Sequence, residues 1–138
     1  MRKAFYAVFD TNVLVSALLT KREDSPVVIL LDRVLDGDII LLYNDDIIGE
    51  YTEVLHRAQF EFSDDRIIGL IDLVKTGIKL EPTESGEMFV DEDDRVFYEV
   101  ALSHENGYVV TGNKKHFPKT PIVVTPAEML EIMNKTNY

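Results

Sequence analysis

Residues 4–19 read Ala4-Phe5-Tyr6-Ala7-Val8-Phe9-Asp10-Thr11-Asn12-Val13-Leu14-Val15-Ser16-Ala17-Leu18-Leu19. The run Ala4 to Phe9 is apolar, rich in strand-forming side chains and uninterrupted by any turn residue, which predicts a strand buried on both faces. Asp10 ends it, and Asn12 to Leu19 reads as a helix. Asp10 is the only charged residue between Arg2/Lys3 and Lys21. An isolated carboxylate in a core-forming segment must be paired or hold a cation, because burying it alone is costly.

The same alternation runs through the rest of the chain. Ser25-Pro26 is an N-cap followed by proline at the first helical position, and the helix it starts reads to about Asp36 and stops at Gly37. Ile39 to Tyr43 is a second buried strand. Asn44 and Asp45 cap a helix running to about His56, and Ser63-Asp64-Asp65 starts another through Lys75, closed by Gly77 ahead of a short strand over Ile78 to Leu80. Val96 to Glu105 is helical, Tyr108 to Thr111 and Ile122 to Val124 are strands, and Thr125-Pro126-Ala127-Glu128 is a capping box opening a last helix to about Asn134. Between Glu81 and Asp94 stand Glu81, Glu84, Glu87, Asp91, Glu92, Asp93 and Asp94 with no base, the composition of a solvated loop. No repeat or linker divides the chain. Strands alternating with helices imply one domain over residues 1–138, a three-layer α/β/α architecture with a central, mainly parallel sheet.

Composition narrows the function classes. At 138 residues, 46% hydrophobic and 28% charged, the chain has material for a core and is not disordered. The absence of cysteine removes disulfide scaffolds, thiolate metal sites and thiol nucleophiles. Fourteen basic against 25 acidic residues leave a net charge of −11, which argues against electrostatic coating of DNA or membranes. It does not exclude a nucleic-acid enzyme whose carboxylates are masked by metal. The apolar run after Met1-Arg2-Lys3 is too short for a signal-peptide core or a membrane span, so a soluble, cytoplasmic protein without a membrane partner is expected.

In an open α/β sheet, chemistry sits beyond the carboxyl ends of the strands. The residues placed there are Asp10, the stretch Asn44-Asp45-Asp46, and Thr111-Gly112-Asn113, with Asp93-Asp94 at the head of the helix that feeds the Tyr108 strand. Asp45 or Asp46 reads best as an N-cap, and Asp93 equally suits a cap. Asn12 and Ser16, four residues apart, share a helix face and suit the task of orienting Asp10 or its water shell. Glu50 borders the core face made by Ile47, Tyr51, Val54 and Leu55, whereas Glu53 points elsewhere. Asp10, Glu50 and one of Asp93/Asp94 converging at one end of the sheet would form an oxygen cluster suited to Mg²⁺ or Mn²⁺, and such a cluster supports phosphodiester hydrolysis. His56, His104 and His116 are scattered and show no metal-ligand spacing.

These residues fall into blocks that resemble the PIN-domain family, in particular the subgroup described as toxin components of prokaryotic toxin–antitoxin systems. The blocks are Val8-Phe9-Asp10-Thr11-Asn12-Val13-Leu14-Val15-Ser16-Ala17-Leu18, Glu50-Tyr51-Thr52-Glu53-Val54-Leu55, Asp91-Glu92-Asp93-Asp94-Arg95-Val96-Phe97-Tyr98-Glu99-Val100-Ala101 and Tyr108-Val109-Val110-Thr111-Gly112-Asn113-Lys114, in order over about residues 5 to 130. The resemblance implies a PIN-like fold and a Mg²⁺- or Mn²⁺-dependent ribonuclease. It carries over Asp10, Glu50 and Asp94 as metal-binding catalytic acids, with Thr111 as a polar helper; Thr11, beside Asp10, joins Asn12 and Ser16 as residues expected to support the site. Asp91 and Asp93 match family positions too, and are assigned to loop structure. The resemblance also implies a small antitoxin that blocks the site, often with a basic residue, and pairing of chains into a homodimer or higher oligomer.

The chain departs from the family at the fourth acidic position, where T-G-D is typical and Thr111-Gly112-Asn113 stands here. Asn113 can still hold a metal-bound water but removes one negative charge, so weaker metal affinity or one-metal binding is expected rather than lost activity. The next family acid is Lys115. Lys114, Lys115 and Lys119 form a basic rim and, with Lys21 and Arg22 opposite, are candidate RNA-phosphate contacts. A receiver-like phosphoacceptor needs paired acids after its first strand, where Asp10 is followed by Thr11. Phosphatases with an aspartate nucleophile need a second acid where Asn12 stands. The stronger rival is a non-catalytic module, degenerate at Asn113, that binds RNA or a partner protein.

Overall fold

A computed structural model of the chain describes residues 3–136. Strand β1 (Phe5–Phe9) leads through Asp10 into helix α1 (Thr11–Leu19), and α2 (Pro26–Leu35) returns the chain to β2 (Ile39–Tyr43). Helices α3 (Asp45–Leu55) and α4 (Asp64–Lys75) precede the short β3 (Ile78–Lys79). A 3₁₀ turn at Glu92–Asp94 runs into α5 (Arg95–Leu102), followed by β4 (Gly107–Val110), another 3₁₀ turn at Lys114–His116, β5 (Val123–Val124) and α6 (Pro126–Thr136).

The five strands form one sheet in the order β3-β2-β1-β4-β5, and every pairing is parallel. In β1, Phe5, Ala7, Val8 and Phe9 are all buried, so successive side chains on opposite faces are both covered. Helix α5 packs on β1, β2 and β4, whereas α2 packs on β2, α1 and α6. The expected α/β/α architecture is therefore observed. Its functional consequence lies in the strand order. The chain leaves β1 toward β2 on one side, and β4 later adds on the other. The crevice beyond the carboxyl ends of β1 and β4 is thus the switch point at which open α/β sheets bind ligands.

Local chemistry accounts for the element ends, including where they differ from expectation. Thr125 and Glu128 form the reciprocal capping box, with Glu128 N donating to Thr125 Oγ1 at 3.1 Å and Thr125 N to Glu128 Oε1 at 2.8 Å. Ser25 sits at the N-cap of α2 in an extended conformation, but its side chain makes no capping bond; the proline at N1 sets the start. The cap of α3 is Asn44 alone, extended and accepting from Ile47 N at 2.9 Å. Asp45 and Asp46 are already helical, and Asp45 pairs with Lys79 at 3.1 Å. Helix α5 ends at Leu102 rather than Glu105, because the chain must turn to bring Gly107 under the backbone of α5. A Cβ on Gly107 would stand 2.3 Å from the Ala101 carbonyl oxygen, and Gly77 approaches Leu41 in the same way.

Candidate active site

Asp10 and Thr111 occupy equivalent places, each one residue beyond its strand. Their strands are adjacent, and Asp10 N donates to Val110 O at 2.9 Å. The Thr111 hydroxyl donates to Asp10 Oδ2 at 2.8 Å and accepts from Asn113 N at 3.0 Å. Asp10 is only 9% exposed and Thr111 is fully buried. Burial pushes the Asp10 carboxyl above its usual range, against the opposing pull of the Thr111 hydroxyl and the Thr11 amide. Asp10 therefore has donors on one side and a high demand for positive charge.

Helix α3 delivers Glu50. The fully buried Tyr51 donates its hydroxyl to the Phe9 carbonyl, tying α3 to the last residue of β1. Burial, with Asp10 and Glu50 nearby, raises the Tyr51 phenol far enough that it stays protonated and remains a donor. One residue earlier, Glu50 accepts from the Thr11 hydroxyl, so Thr11 rather than Asn12 or Ser16 links the acids. Burial pushes the Glu50 carboxyl up, and Asp10 and Asp93 push it further. Asn12 and Ser16 are exposed on α1, and the side-chain donor to Asp10 is Thr111.

Asp94 arrives through the acidic segment 81–94, an exposed loop as expected, but one tied to α5 by specific bonds. Glu99 on α5, buried at 7% exposure, accepts from both the amide and the hydroxyl of Ser85 at 2.9 Å. Arg95 donates to Glu92, Glu99 and the Glu87 carbonyl, and its guanidinium lies 4.7 Å from the centre of the Phe89 ring. Asp91 accepts from Asp93 N at 3.0 Å, which shapes the 3₁₀ turn. Asp94, not Asp93, takes the N-cap position of α5, yet its carboxylate makes no capping bond. Asp94 Oδ2 is buried and has no hydrogen-bond partner. Burial first, then Asp10 and Asp91, raise the Asp94 carboxyl to about 6 against the opposing effect of His116.

At the switch point, Asp10 adds to the proton affinity of both Glu50 and Asp94, and Glu50 adds to that of Asp94. Beside them runs a groove of about 500 Å³ bordered by Asp46, Glu50, Glu53, Glu92 and Asp93. Glu53 lines this groove while pairing with Arg57 at 3.0 Å, so it shares the side of α3 that carries Glu50. Among the described residues, no three acidic or histidine side chains are drawn together closely enough to enclose an ion. The donor set nevertheless fits a hard divalent cation: oxygen ligands only partly satisfied by donors, mutual repulsion that a cation relieves, and an orphaned buried oxygen.

The lysines fall on the opposite flank. Lys114, Lys115 and Lys119 border a cleft of about 620 Å³ walled by Phe117, Pro118 and Pro121. Lys114 is engaged by Glu128 at 3.1 Å. Lys21 and Arg22 are exposed beyond α1, and Arg22 pairs with Asp24 at 3.1 Å. Sequence reasoning missed His116, whose Nδ1 is 3.6 Å from Asp94 Oδ2 and whose Nε2 is 3.1 Å from Asn113 Nδ2. Its signal was position: it follows Asn113 by three residues in the segment after β4. It also missed Arg95 and Glu99, whose signal was a lone base between Lys79 and Lys114 followed four residues later by an acid.

A family model described as PIN domain matches residues 6–115. No curated protein and no solved structure matches the chain.

Proposed function

The chain belongs to the PIN-domain family, whose members are typically nucleases that use divalent metal ions, and from that premise we propose that it is a Mg²⁺- or Mn²⁺-dependent endoribonuclease of the toxin type. The observation that carries this reading is the buried Asp94 oxygen without a hydrogen-bond partner, on a carboxyl that Asp10 and Glu50 both push up at the sheet's switch point. Asp10, Glu50 and Asp94 would hold the metal. When bound, the ion supplies charge neutralisation and a water acidic enough to act as nucleophile near neutral pH. Thr111 fixes Asp10, Thr11 fixes Glu50, and Tyr51 holds α3 in the register that lets both meet. Lys115 and Lys119, with no carboxylate partner among the described residues, supply phosphate contacts that position RNA without reading its sequence.

The same reading includes partners. A small antitoxin would place a basic residue in the groove between Glu50, Glu53 and Asp93, and chains would pair through their helices. Cytoplasmic RNA is the expected substrate; no helix among the described residues is long and apolar enough to cross a membrane.

Mixed RNA incubated with the protein in Mg²⁺, Mn²⁺ or EDTA tests the proposal. Cleavage only with metal, leaving 5′-phosphate and 3′-hydroxyl ends, is expected. Fragments ending in 2′,3′-cyclic phosphate would contradict it, because they mean that the ribose hydroxyl attacked. Asn113 favours one alternative, a degenerate module that binds RNA or a protein without cutting. Tight RNA binding by the folded protein with no cleavage in any metal would establish that instead.

A further inference from the structure

His116 is the side chain that the carboxylate site leaves without a role. Its Nδ1 faces Asp94 Oδ2 at 3.6 Å, too far for a hydrogen bond, and that oxygen is buried without a hydrogen-bond partner. Its other ring nitrogen, Nε2, is held by the Asn113 amide at 3.1 Å. The ring is therefore gripped from behind and turned toward an oxygen that has no hydrogen-bond donor.

Two ligands each about 2.1 Å from one divalent ion lie about 3.0 Å apart when adjacent and at most about 4.2 Å apart, so this pair is within the span of one coordination shell. Metal-binding histidines are regularly oriented by a polar partner on their far nitrogen, which is the place Asn113 takes. A half-turn of the Asn113 amide offers Oδ1 to an Nε2–H and leaves the Nδ1 lone pair directed at the Asp94 side. An acid at position 113 would do the same work and add charge; the amide orients the ring while leaving a neutral imidazole free to ligate.

Resting on the metal-dependent reading above, we propose that His116 is a ligand of the divalent ion together with Asp94, replacing the acid that Asn113 lacks and biasing the site away from Mg²⁺ toward Mn²⁺ and its first-row neighbours. Mg²⁺ strongly prefers oxygen, whereas first-row transition ions accept imidazole readily.

The test is pulsed EPR of the wild-type protein loaded with one equivalent of Mn²⁺, beside metal titrations of wild type and His116→Ala. The spectrum should carry nitrogen-14 modulation from a directly bound imidazole, absent in the variant. The Mn²⁺ dissociation constant should rise about tenfold or more in His116→Ala, while that for Mg²⁺ changes less than about threefold. Bound Mn²⁺ without nitrogen-14 coupling in the wild type, or equal Mn²⁺ affinity in the two proteins, overturns the proposal and leaves the carboxylate site standing. If the wild type binds no Mn²⁺ at all, both readings fall. His116 is 47% exposed on its side chain, so its replacement leaves the core intact, and the wild-type spectrum decides the matter without the variant.

Discussion

Asp94 stands at the head of α5, where an acid ordinarily bonds the first amides, yet its carboxylate bonds none of them. Its Oδ2 is buried and its pKa is raised to about 6, first by burial and then by neighbouring acids. A group placed this way costs stability, and strongly perturbed carboxyls of this kind cluster at functional sites. Asp94→Asn should therefore raise the melting temperature of the metal-free protein by roughly 3–5 °C while removing metal-dependent cleavage. A thermal melt in EDTA beside a cleavage assay checks both halves, and a lower melting temperature would assign Asp94 a structural role. The pH dependence follows from the same shift. An unfolded aspartate titrates near about 3.9, so between that value and about 6 the folded state binds more protons than the unfolded state. Stability from this group is fully present below the unfolded value and is lost as pH rises through about 6. Asp10 and Glu50, also raised, act in the same direction. In EDTA, the urea midpoint should be higher at pH 5.5 than at pH 7.5, and Asp94→Asn should shrink that difference.

At the scale of elements, the site depends on two ties that carry no chemistry themselves. Tyr51 pins α3 to the end of β1, and Arg95 with Glu99 holds the acidic segment against α5. Tyr51→Phe keeps the ring but leaves the Phe9 carbonyl without its donor, at a cost of about 1–3 kcal/mol. Because Glu50 is the adjacent residue, metal affinity should fall as well, readable as a smaller Mn²⁺-induced rise in melting temperature. An unchanged metal response would mean that Thr11 alone positions Glu50. The strands and helices were legible in the sequence because apolar runs and caps are local signals, as the Thr125–Glu128 box shows. The assembly of the site was legible only in outline. Strand-end placement pointed to Asp10 and Thr111, but the Thr11–Glu50 bond spans 39 residues and no local pattern announces it. Likewise, spacing tests on the histidines passed over His116, because the acid it faces, Asp94, comes from a different connection at the head of α5.

Over the whole molecule, charge and topology divide the surface around the switch point. Acids crowd the α3 and α5 side, while Lys115 and Lys119 border the cleft on the β5 side of a chain whose net charge is −11. RNA approaching such a protein is repelled except along the lysine flank, so Lys115→Glu combined with Lys119→Glu should weaken binding of single-stranded RNA by about tenfold or more and flatten its salt dependence. Fluorescence anisotropy in EDTA over a range of KCl reads both effects, and unchanged binding would remove these lysines from the RNA path. The central claim is that three carboxylates from separate elements form one hydrolytic metal site. The most direct measurement is RNA cleavage by the wild type and Asp94→Asn side by side in the same Mn²⁺ buffer, each first shown to be folded. The account predicts cleavage by the wild type alone, abolished by EDTA; equal cleavage by both proteins would contradict it.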